Sequence, residues 1–197
     1  MGRRRLHDEA TAAALLEAAE RIVEAGGLQS LTVRAVATEV GATTRAVYST
    51  LGSKQALVGA LGARAFDMLG TTVGALPLTA DPAADLVAAG AKGFRPFALQ
   101  HPALFRLGVQ QIAVPAEATQ TISTAAARAL IPLHRRVGRV QEAGGLGTRS
   151  LTEATYAFHS LCEGLAAVEL RGIIPPANGD RIWVDALRAL VAGWRCP

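Results

Sequence analysis

Leu31-Thr32-Val33-Arg34-Ala35-Val36-Ala37-Thr38-Glu39-Val40-Gly41-Ala42-Thr43-Thr44-Arg45-Ala46-Val47-Tyr48 is the stretch that decides the fold. Thr32 and Thr43 each stand where a helix N-cap is wanted. Leu31 with Val36, and Ala42 with Val47, have the spacing of a hydrophobic staple around those caps. Gly41 gives the chain a residue free to take positive φ, and Ala37, four residues earlier, is small enough to let two backbones approach. Val36, Val40, Val47 and Leu51 supply the apolar contacts needed where two short helices cross. The pattern predicts a helix to about Val40, a tight turn, and a second helix to about Thr50, a helix-turn-helix; an ordinary αα-hairpin is what the pattern alone leaves open.

Upstream, Leu15, Ala18, Ala19, Ile22 and Val23 recur at helical spacing from Leu6 to Ala25, and Gly26-Gly27 ends that helix. Downstream, Gly52-Ser53 breaks and restarts the chain, with Ser53 capping a fourth helix from Lys54 to about Leu69. Gly74 to Pro82 reads as a loop. Further helices are predicted over about 83–99, 103–113, 116–142, 149–171 and 180–194, separated by His101-Pro102, Pro115, Gly144-Gly145 and Pro175-Pro176. Pro96 and Pro132 fall inside two of them and are expected to kink or divide them.

Composition supports an all-α chain of about nine helices. Of the 197 residues 50% are hydrophobic but only 5% aromatic, so the core is built from Ala, Leu and Val. Period-2 alternation of β-branched residues is hard to find. Cys162 and Cys196 form no metal-ligand spacing and are too few for a disulfide framework, as in a reducing cytosol. Arg3, Arg4 and Arg5 run into His7, Asp8 and Glu9, not into the apolar stretch of a signal peptide, and no uncharged segment reaches membrane-spanning length. A cytoplasmic protein without membrane contact is expected. The net charge of +4 permits a polyanionic partner, and its distribution is more informative: residues 26–64 carry Arg34, Arg45, Lys54 and Arg64 against Glu39 alone.

The string Leu31 to Ala37, Gly41, Ala46-Val47-Tyr48 and Ser53-Lys54-Gln55-Ala56-Leu57 resembles the N-terminal domain of the TetR family over about residues 8–62. It departs in one place, where Thr50-Leu51 replaces the usual His or Tyr followed by Phe. Leu51 can fill the core position of that Phe, but the phosphate contact of the missing ring is not carried over. The resemblance implies a basic arm at 1–7, a three-helix helix-turn-helix domain at 8–53, a connecting helix at 54–75, and a ligand-binding and dimerisation domain at 82–197.

It also implies a reading head. Thr43, Thr44 and Arg45 open the helix that such folds lay in the major groove, where Arg45 suits a bidentate pair with guanine. Tyr48 and Lys54 suit phosphates, and Thr32 and Arg34 open the supporting helix, although Thr32 serves equally as a cap alone. Arg3, Arg4 and Arg5 would enter an adjacent minor groove, or be no more than a solvated charge run. The expected partners are double-stranded operator DNA and a second copy of the chain.

The last two predicted helices carry apolar stripes, Phe158, Leu161 and Leu165 on one, Trp183, Leu187, Leu190 and Trp194 on the other. Two such helices from each subunit would form an intermolecular four-helix bundle, as in the family, unless those residues are buried within one subunit. His101-Pro102-Ala103-Leu104-Phe105-Arg106 and Glu163-Gly164-Leu165-Ala166 resemble the WHG type of TetR ligand domain, with its naming Trp and His replaced by His159 and Glu163. Phe94, Phe97, Phe105, Gln110, Gln111, His134, Tyr156, His159 and Glu163 are aromatic or polar residues in aliphatic helices and are candidates to line a pocket for a small, mainly apolar effector, or else are core and surface residues. His159, Cys162 and Glu163 fall within two helical turns, but no nucleophile elbow, phosphate loop or metal spacing accompanies them, so no enzyme, catalytic residue, metal or cofactor is expected. The expected function is a ligand-responsive repressor; a ligand-independent or architectural DNA-binding protein is the alternative.

Overall fold

The computed structural model describes residues 2–112 and 114–195, with side chains from Ala10 onward, so Cys196 lies outside the described residues. All regular structure among them is helical: α1 (Gly2–Gly26), α2 (Val33–Glu39), α3 (Thr44–Leu51), α4 (Lys54–Ala75), α5 (Pro82–Ala88), α6 (Arg95–Gln100), α7 (Pro102–Leu104), α8 (Ala116–Glu142), α9 (Leu151–Leu170) and α10 (Gly179–Gly193). A π-helical turn, Ala89–Phe94, joins α5 to α6 in one rod, leaving nine separate helices, and another, Phe105–Val109, follows α7.

The chain forms two compact units, Met1–Phe66 with His101–Ala126 and Asp67–Gln100 with Ala127–Pro197. The units interleave in sequence, the first drawing on residues from both sides of the 74–82 segment. The reason lies in α1, where the Glu24 carboxylate accepts from the amides of Ala103 (3.0 Å) and Leu104 (3.1 Å) and so caps the head of α7. Glu20, one turn earlier, bonds Arg64 of α4 at 2.6 Å and lies 3.2 Å from Nδ1 of His101.

In the first unit Leu15, Ala18, Ala19 and Val23 of α1 are buried with Leu31, Val36, Ala37, Val47, Leu57, Val58 and Leu61. Of the positions the sequence pattern singled out, Leu15, Ala18, Ala19, Val23, Val36 and Val47 are buried and Ile22, Val40 and Leu51 half-buried, while Val58 and Leu61 were not singled out. Gly27 (φ 73°) donates to the Val23 carbonyl at 2.7 Å, the left-handed helix stop that its lack of Cβ permits.

In the second unit α4 runs six residues past the expected end. Gly70 and Gly74 do not stop it, because they admit a neighbour: a Cβ on Gly70 would lie 3.1 Å from the Ala129 Cα of α8, and one on Gly74 3.8 Å from Pro132. Neither interior proline divides its helix. Pro132 sits within an unbroken α8. Pro96 follows the first π turn, whose closing bond runs from Arg95 N to the Gly90 carbonyl, a widened turn that relieves the proline ring. The helix expected over 103–113 instead ends at Val109, and Gln111 takes φ 50°.

Two buried polar networks brace this unit. Asp85 accepts from Thr79 N and Oγ1, both at 2.7 Å, and from Arg139. Burial pushes its carboxyl up, but these donors outweigh burial and hold it below the ordinary aspartate value. Glu169 accepts three bonds from Arg95 and one from Trp183 Nε1 (2.7 Å), which lower its pKa against the upward push of burial.

Candidate nucleic-acid interface

α3 is short, and its ends fix which way it faces. The Thr43 side chain accepts from Ala46 N at 3.2 Å, satisfying one of the amides an opening helix leaves bare. Val47 is buried, as are Val36 and Ala37 of the neighbouring α2. With Val47 turned inward, Thr44, Arg45, Tyr48 and Ser49 are left exposed on the outer surface of one helix, Tyr48 at 56% of its full area. Ser49, four residues after Arg45 on the same face, was not singled out from sequence; the i, i+4 spacing from Arg45 is the signal that finds it.

Thr32 caps α2 by accepting from Ala35 N at 3.0 Å, and its hydroxyl still has a proton to donate. Arg34 is exposed in the first turn of α2. Lys54 is the exposed first residue of α4, beside amides of which Ser53 caps only that of Ala56 (3.0 Å). Among the described residues, Arg34, Arg45 and Lys54 pair with no carboxylate, whereas Arg21 is engaged by Glu39 at 3.2 Å and Arg64 by Glu20. The unit thus offers three hydroxyl-bearing helix openings, the three cations Arg34, Arg45 and Lys54, and an exposed phenol. Such a set can hydrogen-bond base edges and neutralise phosphates. No group of three or more His, Cys, Asp or Glu residues able to hold a metal occurs among the described residues, and no helix there is long and apolar enough to cross a membrane.

Other expected sites change. Where a basic arm was expected, residues 2–7 continue α1, which starts at Gly2; the side chains of Arg3, Arg4 and Arg5 lie outside the described ones. Phe158, Trp183, Leu187 and Trp194 are buried within the single chain and so belong to its own core, leaving Leu161, Leu165 and Leu190, half-buried, on the candidate dimer surface. Of the pocket residues, Phe105 and Gln110 fall in the first unit, while Phe97, His134, Tyr156, His159 and Glu163 fall in the second. Phe97 and Phe105 are packed core residues, and Tyr156 is 56% exposed.

Within the second unit Phe94, His159 and Glu163 are brought together, with His159 Nε2 3.9 Å from Glu163 Oε2 and the imidazole edge-on to Phe94 at 5.6 Å. Burial pushes the His159 pKa down and that of Glu163 up. Cys162 beside them is buried, and burial pushes its thiol far up, which removes it as a nucleophile.

This is the arrangement of an all-helical DNA-binding regulator, and the comparisons with known proteins give it a family. Residues 15–61 match the model for bacterial regulatory proteins of the tetR family, and residues 86–190 match that for the tetracyclin repressor-like C-terminal domain. The chain belongs to the TetR family of transcriptional regulators, which are not enzymes.

Solved structures share the fold. A protein of unknown function from Rhodococcus sp. RHA1 superposes with a TM-score of 0.80 at 24% identity, covering 92% of this chain and 94% of that one. The Streptomyces coelicolor regulator SCO7222 gives 0.68 at 21%, covering 92% and 96%. RolR, solved with resorcinol, gives 0.67 at 18%, covering 96% and 93%. No curated protein matches the chain in sequence.

Proposed function

We propose that the protein is an effector-responsive repressor that binds a pseudo-palindromic operator as a homodimer, with α3 of each copy in a major groove. The observation carrying this reading is the outward face of α3, where Thr44, Arg45 and Tyr48 stand exposed while Val47 pins the helix from behind. Arg45 reads a guanine edge, Tyr48 and Lys54 hold phosphates, and Thr32 and Arg34 brace the opposite strand. One head contacts only a few base pairs, so specificity requires a second copy and a two-fold site.

The partner surface is the outer side of α9 and α10, where Tyr156, Ala157, Ser160, Gly164, Ala189 and Gly193 are exposed. Its work on DNA places it in the cytoplasm. A small-molecule effector in the second unit supplies the response, as resorcinol is a ligand for RolR. It acts by its different affinity for DNA-competent and DNA-incompetent states, and full reversal of a one-sided equilibrium takes about 10⁴-fold preference. Selection of duplexes from a random pool tests the reading. A pseudo-palindromic consensus bound by two chains is expected; bound duplexes without consensus at moderate salt contradict it.

A further inference from the structure

A groove of about 570 Å3 lies in the second unit between α5 with its π turn and α10, within the roughly 300–1,000 Å3 range of small-molecule sites. None of the residues expected from sequence to bind a ligand lines it. One wall is Ala83, Ala84, Val87, Ala88 and Ala91 and the other Val184, Val191 and Ala192, so small side chains create the space and give it a methyl floor. The helices run antiparallel, since Gly179 abuts Arg95 while Gly90 abuts Leu187. That register puts Lys92 and Arg188 at one end and Asp81 and Arg195 at the other.

The charge is one-sided: three cations line the groove against Asp81, whose carboxylate already caps α5 by accepting from Ala84 N at 3.0 Å. Lys92, Arg188 and Arg195 are exposed and pair with no carboxylate among the described residues. The π turn, Ala89–Phe94, adds a residue just where the wall passes from Val87 to Lys92, and Ala91 and Lys92 within it line the groove. Such insertions recur at functional sites.

We infer that this groove binds an amphiphilic carboxylate, its aliphatic chain along the alanine and valine floor and its head group at Lys92 and Arg188. From Asp81 to Lys92 the floor runs roughly 16 Å at the helical rise, the reach of a medium-length acyl chain. The inference deepens the effector reading above and rests on it for its regulatory use, but the site itself is tested by binding alone.

Calorimetry on the full chain with sodium decanoate, against decanol as the uncharged analogue, is the test. One decanoate per chain is expected, with decanol at least about tenfold weaker, and Lys92→Gln or Arg188→Gln each weakening decanoate by about tenfold, the worth of one charge-assisted hydrogen bond. Ala88→Phe fills the floor and abolishes binding while leaving the helical circular dichroism unchanged. No saturable binding, equal binding of decanol, or binding that survives Ala88→Phe overturns the inference. So does a change of sedimentation mass with Ala88→Phe, which would mean that a second copy covers the groove. Operator affinity read on the same samples separates the two claims: decanoate that fills the groove without weakening operator binding sustains the site and removes the effector reading.

Discussion

Arg136 of α8 donates to the backbone carbonyl of Leu76 at 2.6 Å, and from the same nitrogen to Val73 at 2.9 Å, so a buried guanidinium caps the C-terminal end of α4. A helix end leaves its last carbonyls without partners, and a cation there also meets the negative end of the helix dipole. Burial pulls the Arg136 pKa down, with the nearby Asp85 charge opposing. The cap explains how α4 continues through Gly70 and Gly74 to Ala75.

Arg136→Met strands those carbonyls. The expected cost is about 3 kcal/mol, a buried group left without its charged partner, or roughly 6–12 °C in Tm for a chain of this size. Differential scanning calorimetry checks it; an unchanged Tm would show that the cap is not holding α4.

The Glu24 carboxylate on the amides of Ala103 and Leu104 makes a local prediction. Glu24→Ala removes a helix cap worth about 1 kcal/mol, and amide hydrogen exchange at Ala103 and Leu104 should accelerate while that of Val36 and Val47 stays slow. Equal acceleration throughout the unit would mean that Glu24 supports α1 instead of α7.

Two groups predict how stability follows pH. Asp85 titrates lower in the folded chain than in the unfolded one, so its stabilisation is complete above about pH 4, the unfolded value, and is lost as pH falls through the folded value. His159 is a base held neutral by burial, so the unfolded chain takes up a proton first as pH falls below about 6.5, and stability drops from there. Glu163, raised by burial, works in the opposite sense at lower pH. His159→Gln should flatten the stability profile between about pH 6.5 and 5 in urea titrations. A wild-type profile already flat there would contradict the buried, neutral imidazole.

Lys54→Gln should weaken DNA binding to all sequences alike and reduce the slope of log affinity against log salt by about one. An unchanged slope in a fluorescence-anisotropy series would take Lys54 away from the phosphates.

The N-terminal helices were legible because local chemistry fixes them. Thr32, Thr43 and Ser53 act as caps within three residues of their own position, and Leu15, Val23, Val36 and Val47 announce their burial by spacing. The end of α4 was not, since Gly70 and Gly74 read as breakers until Ala129 and Pro132 are known to lie against them. The two π turns have no sequence signature beyond the nearby Pro96, which locates a disturbance without its form.

Four of the seven residues expected on the dimer surface, Phe158, Trp183, Leu187 and Trp194, are buried in the chain itself for a similar reason. Periodicity shows that Trp183 and Leu187 are buried, but not by what, and here the same chain does it. The groove walls of Ala83, Ala84 and Ala88 were invisible because a missing side chain becomes a site only when two such helices face each other.

The central claim is that α3 reads sequence through Arg45. The direct measurement takes the selected operator, substitutes each base pair in turn, and titrates the wild type, Arg45→Ala and Tyr48→Phe against every variant. The account predicts that Arg45→Ala loses about 1–3 kcal/mol of discrimination at one symmetry-related pair of positions and keeps it elsewhere, while Tyr48→Phe lowers affinity for all variants equally. A discrimination profile unchanged in Arg45→Ala would contradict it.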